Sequence, residues 1–452
     1  MARIDNSTNI KWVSIWSAAF VFALATALLL FLKDDFEATY SYYYFSFSIN
    51  GLSMYFAEVM AFLTLLCTLI GRSEINEDIQ KFYILVMLLE SSTLMLFFIS
   101  NILLFSCWLE VIVCVSYFLV RIFSGGSEYL AKQFIILFSG VILTIFGTAY
   151  IISITGAMEI HILADYTFSF TQELVFFIIF FTGLYCICGL FPAHMWIPDS
   201  YANAPAAVSV LLCGLVSLIG GFGMMTILIP IAKNIYLHWH SQISHVVFGS
   251  AVYFLLAAAI QKNLEHLLAY VFCANVAVSV VGIFSGRVEG VGGAAYHMMA
   301  NSLVMAQLFI VTRAMTKTHG RDVPAIMQEK GIPAIAALPL LALLATPLLP
   351  FFNGEFFIIY SLLHKNYFFG IMLCVVVVLG TFLAIKAFGN CSYGVGEVKL
   401  RTDDFICLIP LMFLLLLMGL FPNGVVKSIG GVCGKFPFAK IAEGYGKSVH
   451  DR

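Results

Sequence analysis

Charge is what this sequence has least of. Lys, Arg, Asp and Glu supply 11% of its 452 residues and hydrophobic side chains 61%, where a soluble domain carries about 25% charged and roughly 45–50% apolar residues. At a mean hydropathy of +0.98 no soluble fold hides that much apolar surface, which excludes an ordinary soluble enzyme. Disorder is excluded by the same numbers, because disordered chains are poor in apolar residues and rich in charge. Lys and Arg number 23 against 25 Asp and Glu, so the basic excess that nucleic-acid binding needs is missing. Cysteine chemistry is missing as well. The 11 cysteines are scattered, none forms a C-x-x-C, and only Cys186 and Cys188 lie close together. They read as small packing residues rather than metal or cluster ligands. No polar stretch between apolar runs is long enough to fold as a soluble domain. No flavin, nicotinamide, iron–sulfur cluster or metal is therefore expected, and no catalytic site.

What is present is a series of apolar runs of bilayer length, about 20 residues each. Thirteen are found, near 12–32, 50–71, 82–100, 101–122, 133–155, 173–196, 206–232, 244–263, 265–285, 290–315, 330–364, 366–388 and 403–422. The runs are continuous rather than alternating, which points to helices and not to a membrane barrel. The polar start, MARIDNSTNIKW, carries no signal-peptide pattern. With the N-terminus cytoplasmic, 14 of the 23 Lys and Arg fall on the cytoplasmic side, as the positive-inside rule favours.

Two runs are interrupted, one by Gly189 and Pro192, the other by Pro347, Pro350, Asn353 and Gly354. Broken helices at membrane depth survive only where the freed backbone faces protein or a wet cavity. Paired interruptions point to inverted repeats around a transport path; the plain alternative is two unrelated proline kinks. The expected fold is an all-α polytopic membrane protein of about 13 helices. Flanking helices occupy 1–81, one five-helix repeat 82–232, a second 244–388, and a C-terminal helix and tail 403–452, with the fourth helix of each repeat broken.

A charged side chain in such a run costs about 2.5–3.5 kcal/mol on insertion scales and is a functional candidate by default. The acids there are Glu58, Glu90, Glu110, Glu265 and Glu355, and the histidines His194, His266 and His297. For each, a neutral, hydrogen-bonded core residue is the plain alternative. Trp196 reads as an interface anchor, Asp199 as a helix cap and Gly220–Gly223 as a close-packing stretch. Lysine stays out of the depth of the runs, with Lys386 the nearest exception.

Residues 183–223, GLYCICGLFPAHMWIPDSYANAPAAVSVLLCGLVSLIGGFG, carry the block F-P-x-H-x-W-x-P-D followed by A-P-x-x-V-S. This resembles the signature of the antiporter-like membrane subunits shared by proton-pumping NADH:quinone oxidoreductase (complex I), membrane-bound hydrogenases and Mrp-type sodium/proton antiporters. ILLFSCWLEVIVCVSYFLV, 102–120, is similar to the helix bearing that family's proton-path glutamate, here Glu110. Thr155–Gly156, QKNLEHLLAY (261–270), His297–Met298 and ATPLLPFFNGEF (345–356) follow in the family's order. The resemblance spans about residues 48–390 and implies two inverted five-helix repeats with flanking helices, one fewer than usual near the N-terminus.

The departures bear on mechanism. By the resemblance, family lysines fall at Ile187, Leu218, Glu265 and Met305, family histidines at Asn275 and Asn301, and an acid at Asn101. Glu110, His194 and His297 are retained, and Glu355 matches the acid of one subunit type when the alignment follows G-E-F, whereas an alignment on F-N-G-F-x-x-K puts that position at Ile358. A proton path needs groups whose protonation alternates near neutral pH. Without a lysine at position 187, desolvation alone is expected to keep Glu110 protonated, leaving the first half weak or silent as a pump. Glu265, His266 and Glu355 are expected to form a partial substitute in the second half. The resemblance thus implies a membrane subunit of a complex I-like or Mrp-type assembly, with other membrane subunits and lipid as partners, in a bacterial-type inner membrane or equivalent coupling membrane. It would contribute proton or cation translocation, or a remnant of it, and any oxidoreductase activity would belong to the assembly. A scaffold subunit that has lost transport, and a standalone secondary transporter, are the alternatives.

Overall fold

A backbone in hydrocarbon must satisfy its own hydrogen bonds, and the apolar runs do so as helices. The computed structural model describes residues 2–31, 38–42, 45–124, 128–319, 337–389, 402–423 and 425–427. The expectations for the Lys386 side chain and for the tail beyond residue 427 lie outside the described residues.

Helix α1 (Ala2–Phe31) is followed by a hairpin, β1 (Ala38–Tyr42) and β2 (Phe45–Ile49), and then α2 (Gly51–Glu74), α3 (Ile79–Phe98), α4 (Ile102–Phe123) and α5 (Glu128–Thr155). A short α6 (Ile160–Asp165) leads to α7 (Phe170–Ile187), a turn, α8 (Trp196–Asn203) and α9 (Ala206–Gly223), which a π-helical turn extends to Ile231. The second half holds α10 (Lys233–Ala259), α11 (Leu264–Ile283), α12 (Val288–His319), α13 (Ala337–Leu343), α14 (Pro350–Leu363) and α15 (Tyr367–Gly389), and α16 (Thr402–Leu420) closes the bundle. Among the described residues, 11 helices are long and apolar enough to cross a membrane. The broken pair α13–α14 and the apolar α15 stand where the other two of the thirteen runs were read. The hairpin was not read from the sequence. Its signal is the alternating Phe-Ser-Phe-Ser of residues 45–48, a period of two.

Several helix starts are written locally. Asn101 accepts from the backbone amides of Leu103 and Leu104 at 2.9 and 3.2 Å and so caps α4. Asn263 does the same for α11, and Ser169 with Gln172 forms a capping box on α7.

The order of packing repeats. In the first half α3 lies on α4, α4 on α5 and α5 on α7; in the second, α10 lies on α11, α11 on α12 and α12 on α14. The core sits where the halves meet, on α9 and α12. The apolar stretch of α12 is wholly buried, whereas that of α1 is only 17% buried and faces outward.

Both breaks are present. The first runs through residues 188–195, with Gly189 at φ +60°. The second places Ala345 and Leu348 at φ +47° and +76°, each at a cost of order 1–3 kcal/mol. The end of α16 packs against that turn, with Gly419 beside the Leu348 backbone, and two side chains bond its last carbonyls. Asn353 Nδ2 donates to the Gly419 carbonyl at 3.1 Å, and the Tyr296 hydroxyl donates to the Met418 carbonyl at 2.5 Å.

Helices α5 and α7 cross through glycine. A Cβ at Gly183 would stand 2.6 Å from the Gly140 carbonyl oxygen. Gly183→Val is therefore expected to cost about 1–3 kcal/mol through overpacking, read as a lower unfolding temperature in detergent. Gly249→Val, with nothing within 4 Å of the added Cβ, is the control expected to leave it unchanged.

Candidate ion-path residues

His297 lies in the middle of α12 and is fully buried. Its Nδ1 is 2.7 Å from the Ser279 hydroxyl on α11, and its Nε2 is 3.6 Å from Glu355 Oε1 on α14. The approach of α14 depends on Gly354, where a Cβ would come within 2.8 Å of His297 Cβ. The broken helix thus delivers a carboxyl to an imidazole inside the protein. The 3.6 Å gap is one that a small side-chain movement or a bridging water closes. Beside Glu355 opens a cleft of about 310 Å³ whose lining includes Asn275 and Thr381 among Leu255, Val271 and Leu343. A carboxyl, an imidazole and a hydroxyl in line, next to an opening, can hold a proton and hand it on.

A second group stands at the end of the bundle where α11 begins and α12 ends. Arg313 donates to Glu265 Oε1 at 2.7 Å and to the carbonyls of Ala204 and Ala202 at 2.8 and 3.4 Å. Next to it, His266 Nε2 is 3.0 Å from Asp199 Oδ1. The first-half break is thereby tied to the second half. Two expectations are corrected here. Asp199 does not start α8, whose first turn follows Met195 without a side-chain cap; it partners His266 instead. Glu265 and His266 do not join Glu355, because 14 residues of helix, about 21 Å, separate Glu265 from Ser279, the α11 residue that touches His297.

His194 is buried in the first break, ringed by Phe191, Tyr253, Phe254 and Tyr270. Glu110 is exposed on α4, on the same outward face as Cys107 and Phe118. Glu58 accepts from the Thr26 hydroxyl at 3.2 Å. Gly220 and Gly221 serve close packing, since a Cβ there would collide with Cys188 and Met298 respectively. Among the described residues no cluster of three or more His, Cys, Asp or Glu is arranged for a metal ion.

The family described as NADH:quinone oxidoreductase/Mrp antiporter, TM, matches residues 99–382. The chain belongs to that family. Among curated relatives, NADH-quinone oxidoreductase subunit M of Rickettsia bellii is 24% identical over 94% of this chain and 91% of its own. NADH-ubiquinone oxidoreductase chain 4 of Mycosarcoma maydis is 25% identical over 90% and 91%. Among solved structures, respiratory complex I from Thermus thermophilus contains a chain that superposes with a TM-score of 0.84 at 21% identity, covering 95% of both. The Mrp complex of a Dietzia species gives 0.86 at 16%, covering 96% of this chain and 94% of that one.

Set within this antiporter family, the slots read as family lysines are filled by packing. Ile187 is 5% exposed, and Leu218 and Met305 are fully buried. Asn301, at a family histidine position, donates to Ser217, whose hydroxyl donates to the Met298 carbonyl, so the α9–α12 contact is held by neutral bonds. Sequence reasoning missed Arg313 as the partner of Glu265, and Ser279. Its only signal for Arg313 was a cation at the end of the run 290–315.

Removing one partner of a buried ion pair leaves an uncompensated charge, which costs about 3–5 kcal/mol. Arg313→Ala is expected to lose stability on that scale. The double variant Arg313→Ala, Glu265→Gln is expected to recover part of the loss, read from the unfolding temperatures of a double-mutant cycle.

Proposed function

We propose that the chain is an ion-translocating membrane subunit of a multi-subunit complex of the complex I or Mrp type. On this reading its second repeat retains the conducting groups and its first repeat has lost them, with repeat boundaries at 82–232 and 244–388. The observation that carries the reading is the buried couple of His297 and Glu355, 3.6 Å apart at the second break. A proton on the Glu355 carboxyl moves to the imidazole, with Ser279 at the other ring nitrogen to accept or donate as the tautomer requires. Burial keeps competing water away, and the cleft at Asn275 and Thr381 supplies the approach.

Among its described residues the first repeat has no comparable couple. Its lysine slots hold Ile187 and Leu218, and Glu110 points away from the chain. A carboxyl on an apolar outer face is expensive against lipid, so the exposed face of α4 is read as a surface that a neighbouring membrane subunit covers. The curated relatives carry the names of complex I subunits, which fits a chain that works beside others in a coupling membrane while redox chemistry lies elsewhere. The apolar lysine slots also favour a second reading, in which the first repeat, or the whole chain, is scaffold.

Proton flux through the reconstituted assembly decides between them. Glu355→Gln is expected to lower flux at least tenfold with assembly intact, in keeping with the loss of a positioned proton carrier. Glu110→Gln is expected to keep more than half of it. Full flux in both variants would overturn the conducting reading and support the scaffold one.

A further inference from the structure

The end of the bundle opposite Glu265 carries a titratable couple that the path described above does not use. Lys365, in the turn between α14 and α15, places Nζ 2.5 Å from His240 Nε2 on α10. His240 Nδ1 lies 3.2 Å from the Phe284 carbonyl. With Nε2 accepting from the ammonium, Nδ1 bears the ring proton and donates to that carbonyl. Two full positive charges at 2.5 Å repel strongly, so the couple holds one charge while the contact lasts. Burial, with Arg287 adding to it, pushes Lys365 below the usual ammonium range. The other charged or titratable groups around the couple are Tyr236 and His245 from α10, Arg287 from the α11–α12 turn, Glu289 from α12 and His364, the residue after α14. Arg287 and Glu289 close on each other through bonds of 3.0 and 3.1 Å.

Glycine keeps a polar line open between this couple and Glu355. At Gly286, with φ +75°, a Cβ would stand 2.5 Å from Lys365 Nζ. At Gly290 a Cβ would collide with the hydroxyls of both Ser285 and Ser361, so those two groups converge there. Ser361 stands six residues of α14 from Glu355 and four from Lys365, roughly 9 Å and 6 Å of helix. A cleft of about 250 Å³ lined by His240, Ser244, Ser285 and Lys365 opens at the couple.

We propose that Lys365 and His240 form the terminal proton station of the second repeat, exchanging protons between Glu355 and the aqueous face through Ser361 and Ser285. With the N-terminus cytoplasmic, that face is the outer one. The inference rests on the proposed function. Lys365 releases one proton to water and becomes a neutral amine. One proton then passes from the Glu355 carboxyl, by way of water between it and Ser361 and then the two hydroxyls, and restores the ammonium. The Glu355 carboxylate takes a fresh proton from water in the cleft at Asn275 and Thr381, and any proton it has shared with His297 returns to it before it is passed on. Each cycle moves one proton and leaves every group as it began.

The test uses the intact complex in liposomes, with proton flux read by a pH-sensitive dye. Lys365→Met and His240→Phe are each expected to lower flux at least fivefold. Lys365→Arg keeps the cation and the bond to His240 but holds its proton, so it is expected to be as slow as Lys365→Met. Rescue by Lys365→Arg would show a structural charge and overturn the station. Gly290→Ala, which disturbs the two hydroxyls and leaves the couple in place, is expected to slow flux even if Lys365→Met does not assemble. Loss of flux in Glu355→Gln beside normal flux in Lys365→Met, His240→Phe and Gly290→Ala would overturn the station and leave the proposed function standing. Normal flux in Glu355→Gln would remove both.

Discussion

The rest of the structure depends on one constraint: an oily interior offers no water, so every backbone group and every charge there must find a partner in the protein. At the second break the amides of Ala345 and Leu349 bond back to the carbonyls of Ala342 and Thr346, and beside it Tyr296 and Asn353 donate to the last carbonyls of α16, those of Met418 and Gly419. Because the break is held, α14 restarts beside α12 with Gly354 against His297. Because Gly354 permits that approach, Glu355 meets an imidazole rather than lipid. Stability of an awkward turn and placement of the reacting groups are therefore one problem, solved by the same contacts.

Much of the fold was legible because a bilayer leaves few choices. Apolar runs of the right length become helices, and Gly and Pro in two of them mark the breaks. Partners were not legible. The cost of burying Glu265 can be read from its position, but its relief comes from Arg313, 48 residues later, and nothing local links the two. Likewise His297 was a candidate on its own, whereas Ser279 becomes one only when α11 and α12 lie side by side. The outward direction of Glu110 is a subtler case. The buried positions of α4, among them Phe105, Ser106, Leu109, Ile112, Val113 and Ser116, fall on one helical face, and Glu110 lies off it. In a soluble helix the opposite face would be polar and the direction obvious. In a membrane helix both faces are apolar, and the period is hidden.

The substitutions at the family's lysine slots are not equivalent to one another. At Ile187, Leu218 and Met305, slots the resemblance gives to lysine, the side chain is buried apolar packing that cannot titrate. At Glu265 the sign reverses, and the structure shows what balances it: the cation now comes from α12, as a guanidinium. That exchange changes what the site can do. A lysine in an apolar site can give up its proton, whereas a guanidinium keeps it throughout the physiological range. Arg313 is also committed to the carbonyls of Ala202 and Ala204. The pair therefore fastens the exit of the first break to the start of α11 and leaves no exchangeable proton on its cation. On the proposed function, proton movement is then confined to groups beyond that tie, and the cleft at Asn275 and Thr381 is the approach to Glu355 from the α13–α15 side. On the proposed function, the path is shortened to the second repeat and entered from its flank.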